Sequence, residues 1–428
     1  MKKLKLPEML TLNAYWVGLS FKWNALHPII LPAVLLNFVP DARKNTWLGL
    51  LTFVGLLLAM VIQPVAGAIS DGWVSRWGRR RPLIVLGTLF DFVFLALLAW
   101  AGGLTWLIIG YIGLQFSSNI AQGPAQGLLP DRVPPEQLGV ASSWKNVMDM
   151  ASLIIASLLA GRLLDPVTRD PTLIILVLMG TIAISTAITV LGTRENPTDL
   201  PQSSRRAQPV MAGGLGRKIN LSSFGGLSGE FLKIDFQANK AYWWLIAERG
   251  LFLLGIYGVQ AFAQYYLQDV IRVADPPKQT GDLLAVLTLS LVALVLVGGW
   301  LTDRFGAKRV LYIASFLAAG GMLLMLIPRD MIGLMLFGGV LGAGIGLFLT
   351  ANWALANKLA PGEEAGKFLG LTNLATAGSG ALARLEGPAL DWLNGMWPGQ
   401  WVGYTWLFVF GALCILFSLL LLGKITNG

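Results

Sequence analysis

Stretches of about 20 residues with almost no charge recur along nearly the whole chain, and that is the helical length needed to cross a hydrocarbon core of about 30 Å. Only 13% of the residues are charged and 55% are hydrophobic, against about 25% charged in an ordinary soluble domain. A chain so built has too little polar surface to cover itself in water, so lipid is its solvent. Twelve such stretches are read at residues 11–36, 46–70, 83–102, 105–129, 139–163, 172–192, 241–268, 282–302, 309–327, 331–357, 367–390 and 402–423. They are called spans 1 to 12.

The polar stretch 193–240, with Pro197, Pro201, Pro209 and the pair Gly213-Gly214, separates six spans from six. It divides the chain into an N-terminal bundle, 1–192, a cytoplasmic linker, 193–240, and a C-terminal bundle, 241–428. The fold class expected is therefore an all-α membrane protein, twelve transmembrane helices in two pseudo-symmetric six-helix bundles. A net charge of +9 would suit nucleic acid if it formed a patch, but the charges fall in loops and favour one side. Of the 32 Lys and Arg residues, seven (Arg43, Lys44, Arg162, Arg169, Arg272, Lys278, Arg329) lie opposite the termini, four lie within spans, and 21 lie on the side of the termini. That bias places both termini in the cytoplasm of a multi-pass inner-membrane protein. One cysteine, Cys414, and one histidine, His27, leave no disulfide framework and no cluster for a metal. The expectation is a monomer in the bilayer, with neither cofactor nor nucleic acid.

The halves repeat. A shift of 227 residues superposes Pro134 on Pro361, Glu136 on Glu363, Gly139 on Gly366 and Asn146 on Asn373. After span 2 the chain carries Asp71, Arg76, Gly78 and Arg79; after span 8 it carries Asp303, Arg304, Gly306 and Arg309. An acid at a helix end, a glycine turn and arginines make a latch whose charge-assisted bonds hold in one conformation, and Asp71 is expected to meet Arg76, Arg79 or a neighbouring helix N-terminus. Duplicated halves of this kind place a binding site between them near the bilayer midplane.

The run Gln63-Pro64-Val-Ala-Gly67-Ala-Ile-Ser70-Asp71, followed by Arg76-Trp-Gly78-Arg79-Arg80-Arg81-Pro82, resembles the sucrose-transporter branch of the glycoside-pentoside-hexuronide cation symporters, within the major facilitator superfamily. Phe21-Lys-Trp23 with Pro32, Asn119-Ile-Ala-Gln122-Gly123-Pro124 and Leu128-Leu129-Pro-Asp131 agree with it. The resemblance covers the first four spans. It implies alternating access and a small hydroxyl-rich solute, a sugar or glycoside, with H+ as a candidate coupling ion. The family's acid and arginine in span 4 are replaced by Gln115 and Gln126, and the acids of its sodium-using members map onto Ala59 and Gln63.

Amides inside spans are costly against lipid and should face a cavity or another helix. Gln115, Asn119, Gln122 and Gln126 form one face of span 4; Asn13, Ser20, Asn24 and His27 run along span 1; Tyr257, Gln260, Gln264 and Gln268 run along span 7. An amide both donates and accepts, as a hydroxyl does, so these stripes suit a neutral sugar. Trp16, Trp23 and Trp353 are candidates to stack on its apolar face, or are ordinary packing residues.

Asp149 lies about 15 Å into span 5 with Lys145 one turn before it, and Lys22 lies about 16 Å into span 1. These three form the expected coupling set, with Asp149 as the acid, against the alternative of a permanent Lys145–Asp149 pair that ties helices together. Asp91 reads as a packing or snorkelling residue; Glu248 and Arg249 read as headgroup or linker contacts. Arg384 and Glu386, two apart, cannot share a face, so each needs another partner. The glycines of span 10 are not followed by Lys-Ser or Lys-Thr, and no hydrolase elbow or HExxH appears, so neither an ATP-driven pump nor an enzyme is expected. Two other readings stay open, a membrane assembly or pigment-delivery factor and an exporter of an amphiphile, both of which call for an apolar chamber.

Overall fold

The computed structural model describes residues 3–73, 75–193, 239–360 and 365–425. Most of the expected linker (194–238) and the repeat positions Pro361 and Glu363 lie outside the described residues. Twelve membrane-length helical spans appear among the described residues; most limits agree closely with those read from hydropathy, but span 8 begins at Pro276 rather than 282 and span 11 ends at Met396 rather than 390. Span 1 packs on spans 5 and 6, span 2 on span 4, and span 3 on spans 4 and 6; the second half repeats this as 7 on 11 and 12, 8 on 10, and 9 on 10 and 12. The two six-helix halves are thus the same motif twice. The turns after spans 2 and 8 carry Gly78 (φ 97°) and Gly306 (φ 85°), a left-handed backbone that glycine adopts without a Cβ clash.

Among the described residues, ten helices are long and apolar enough to cross a membrane by composition. Spans 1 and 11 fall short because they are too polar, and both are also broken. Span 1 runs from Leu6–Ala25 through a π-helical turn, Leu26–Ile30, into Leu31–Leu35. Pro32 has no N–H to give the Pro28 carbonyl, so the helix repeat slips there. Span 11 is Ala365–Arg384 followed by Glu386–Met396, and Pro388 likewise leaves the Arg384 carbonyl without its donor. Span 7, the repeat of span 1, also ends in a π-helical turn, Leu267–Ile271.

The halves meet along spans 2 and 11, 5 and 8, and the broken parts of 1 and 7. Spans 5 and 8 approach so closely that a Cβ on Gly281 would stand 2.2 Å from the Ser157 carbonyl oxygen. Small residues permit that contact, the usual way helices associate in lipid.

Candidate functional site

Between the halves lies a cavity of about 400 Å³ lined by Trp23, Asn24 and His27 of span 1, Tyr257 and Gln260 of span 7, and Thr376 and Arg384 of span 11, among others. A second chamber of about 210 Å³ adjoins it, sharing Asn24, Tyr257 and Gln260; the rest of its wall is mostly apolar, with residues such as Leu253, Ile256, Met325 and Ile345, and includes Ser157 and Thr288.

The breaks described above shape these walls. Because Pro32 frees the Pro28 carbonyl, Gln264 reaches across from span 7 and, in its hydrogen-bonded amide orientation, donates to the oxygens of Pro28 (3.0 Å) and Ile29 (2.9 Å). Tyr265 donates to the Pro32 carbonyl at 2.9 Å. Gln264 is therefore a buried tie between halves rather than a cavity residue. His27 stacks on Trp23 with ring centroids 4.8 Å apart and meets the Tyr111 hydroxyl at 3.0 Å.

Span 4 departs from its expected place. Gln115 is buried behind His27, donating to Tyr111 at 2.8 Å and lying 3.4 Å from His27 Nε2. Asn119 is buried one turn on and donates to the Gln115 carbonyl at 2.7 Å. Both spend their side chains on bonds within span 4, apart from the contact of Gln115 with His27, and so support the wall from behind. Gln122 is half-buried and Gln126, on the same face, is exposed. Trp16 is covered by Lys145, whose Nζ sits 4.0 Å above its ring, and Trp353 is exposed, so of the three tryptophans only Trp23 lines the cavity.

Among the charges, Lys145 donates to Asp149 at 2.8 Å, and Ser20 donates to the other Asp149 oxygen at 2.6 Å. Lys22 is not a partner of that acid. Its ammonium pairs with Asp91, both side chains fully buried, and Ser117 and Ser118 of span 4 also donate to Asp91. Asp91 thus joins spans 1, 3 and 4 and is neither snorkelling nor a mere packing residue. In the second half Asn352 donates to Glu248 at 2.7 Å, while Arg249 donates to Asn352 (2.6 Å) and Thr376 (3.0 Å). This network is buried, not at the headgroups. Arg384 reaches the cavity with its Nε unbonded, and both oxygens of the buried Glu386 lack a donor.

The latch after span 2 closes differently from its expected form. Arg80, not Arg76, meets Asp71 at 2.5 Å and Asp131 at 3.0 Å, and Arg79 meets Asp131 at 2.5 Å; Arg76 is exposed. Among the described residues Asp303 and Arg309 form no ion pair, and Arg304 lies 5.3 Å from the Trp300 ring.

Sequence reading missed the joint at the end opposite the termini. Lys44, at the start of span 2, is buried and pairs with Asp269 of span 7 at 2.6 Å, and Tyr404 of span 12 donates to the same acid at 2.7 Å. Asp391 of span 11 accepts from Asn45 (2.8 Å) and from the backbone N–H of Thr46 (2.6 Å), so one half caps the helix N-terminus of the other. Arg162 and Asp282 add a more exposed pair between spans 5 and 8 at 2.7 Å. The available signal was Lys44 and Asp269 standing at the ends of repeated spans, but no local spacing connects residues so far apart in the chain.

The family model of the Major Facilitator Superfamily matches residues 19–384 and, overlapping, 273–426. The chain belongs to the major facilitator superfamily. Within it, the sucrose transport protein SUC4 of Arabidopsis thaliana is 27% identical over 130 residues, 27% of this chain and 25% of that protein. The general alpha-glucoside permease of Schizosaccharomyces pombe is 28% identical over 121 residues, 24% of this chain and 22% of that protein. This major facilitator chain thus spans about a quarter of the length of the curated relatives it matches. A crystal structure of a D-xylose-proton symporter aligns with a TM-score of 0.69 at 14% identity, covering 98% of each chain, and shares the fold.

Proposed function

We propose that this chain is a secondary transporter that carries a neutral glycoside by alternating access, with bundles 1–192 and 241–428 rocking about the seam and 193–240 joining them on the cytoplasmic side. The observation that carries the proposal is the cavity on the seam, with Asn24, His27, Tyr257, Gln260, Thr376 and Arg384 converging on it from spans 1, 7 and 11. Such groups donate to and accept from hydroxyls, and a cavity of about 400 Å³ is within the size range of small-molecule sites. Sucrose and alpha-glucosides, after which the relatives are named, are of the same chemistry. With both termini cytoplasmic, the Lys44–Asp269 joint closes the outer end, and the latch of Asp71, Arg79 and Arg80, beside Gly78, Arg76 and its C-terminal copy (Asp303, Arg304, Gly306, Arg309), lies at the inner end. The solute is transferred without chemical change.

The test is uptake of a labelled panel of glycosides and free sugars into proteoliposomes, with and without an imposed pH gradient. Saturable counterflow of a glycoside is expected, with Gln260→Ala weakening apparent affinity by about tenfold, the worth of one hydrogen bond to a buried partner. A panel in which no sugar exchanges would refute the reading. The adjoining apolar chamber favours a second reading, an exporter of amphiphiles. Extrusion of an apolar dye without any sugar counterflow would select it.

A further inference from the structure

We propose that Glu386, not Asp149, is the group that carries the coupling proton; this rests on the transport reading above. Glu386 follows the break in span 11, is only 7% exposed, and neither carboxyl oxygen has a donor. An ionised carboxylate held that way in a membrane protein has a donor on neither oxygen, and Arg384, the nearby cation, makes no ion pair with it, so the buried form carries its proton. Span 7 presents bare backbone, where a Cβ on Gly258 would stand 2.1 Å from Glu386 Oε2. Span 12 contributes the neutral Cys414, and the residue's own span contributes Arg384 as the nearby cation. Asp149 and Asp91 differ from it, since each already holds a lysine and a serine hydroxyl.

The position matters as much as the burial. The next residue, Gly387, packs directly on span 2, where an added Cβ would lie 2.2 Å from the Asn45 carbonyl oxygen. That contact belongs to the joint closing the far end of the seam. When the joint parts, Glu386 is wetted from that side and takes a proton from hydronium, forming the O–H and leaving water. Closing the joint buries the neutral acid. On the other side of the break Arg384 faces the cavity with Nε unbonded. Release breaks the O–H, passes the proton to cavity water, and leaves a carboxylate that Arg384 stabilises.

Infrared spectroscopy of the full-length protein at neutral pH tests this directly, because the C=O stretch of a protonated buried carboxyl is distinct from that of carboxylate. Wild type should show such a band that Glu386→Gln lacks and Glu386→Asp keeps. In proteoliposomes Glu386→Gln should still catalyse counterflow but lose accumulation driven by the pH gradient, whereas Asp149→Asn should keep it. A carboxyl band unchanged by Glu386→Gln, or undiminished accumulation in that variant, would overturn the proposal. Absence of sugar movement in the wild type would refute the transport reading instead, and the infrared band would still decide the state of Glu386.

Discussion

In the first half Lys22 is enclosed with Asp91 and two serines, Lys145 and Ser20 share Asp149, and Arg80 joins Asp71 to Asp131. In the second half Glu386 has no donor, Arg384 Nε has no acceptor, and Asp303 of the repeated latch has no ion-pair partner among the described residues. The two halves share helix order and packing, so topology does not cause the difference. Paired buried charges fix helices relative to one another; unpaired ones are tolerated where another conformation or a ligand satisfies them. In the proposed transport cycle the first half is the stator, and the second holds the groups around span 11 that change partners.

Breaking a satisfied cluster should therefore cost far more in the first half than removing a free group in the second. Lys22→Ala leaves Asp91 buried without its cation and should destabilise the protein by about 3–5 kcal/mol, read as a lowered thermal midpoint of the purified protein. Replacing both, Lys22→Met with Asp91→Leu, should recover most of that loss. An unaffected midpoint in the single variant would erase the contrast between the halves.

The joint comes next. Asp269→Asn removes one charge of the Lys44 pair at the far end and, in the proposed transport cycle, should shift the balance toward opening there by about 1–3 kcal/mol, or roughly 5–150-fold. A cysteine replacing Gln260, in a Cys414→Ser background, reports this as faster labelling from the far side. Asp391→Ala strips the helix cap supplied across the seam and should act in the same direction by about 0.5–2 kcal/mol. Asp303→Asn should have the smallest effect, within about 0.5 kcal/mol in the same thermal assay, because that carboxylate is exposed and makes no ion pair among the described residues.

The fold was legible because its cause is local: lipid demands long apolar helices, and the duplicated acid–glycine–arginine turn marks the halves. The walls from spans 1 and 7 were legible for a related reason, since Asn24, His27, Tyr257 and Gln260 follow helical spacing and do line the cavity. What escaped depends on rotation and distance. The span 4 stripe has the right period, yet the helix is turned so that Gln115 and Asn119 bond behind His27. Lys22 meets Asp91 and Lys44 meets Asp269 across sequence gaps that no periodicity spans. The two proline breaks could be read as kinks, but which partner takes each freed carbonyl is settled only by packing.

The most direct test of two halves that alternate about a shared seam is a spin-label distance across the far end, between cysteines at Val167 and Ala274 in the Cys414→Ser protein. Both positions are exposed and lie on opposite halves. One short distance is expected in the resting protein, and a second, longer one should appear with a transported glycoside and be enriched by Asp269→Asn without it. A single distance unchanged under all three conditions would contradict it.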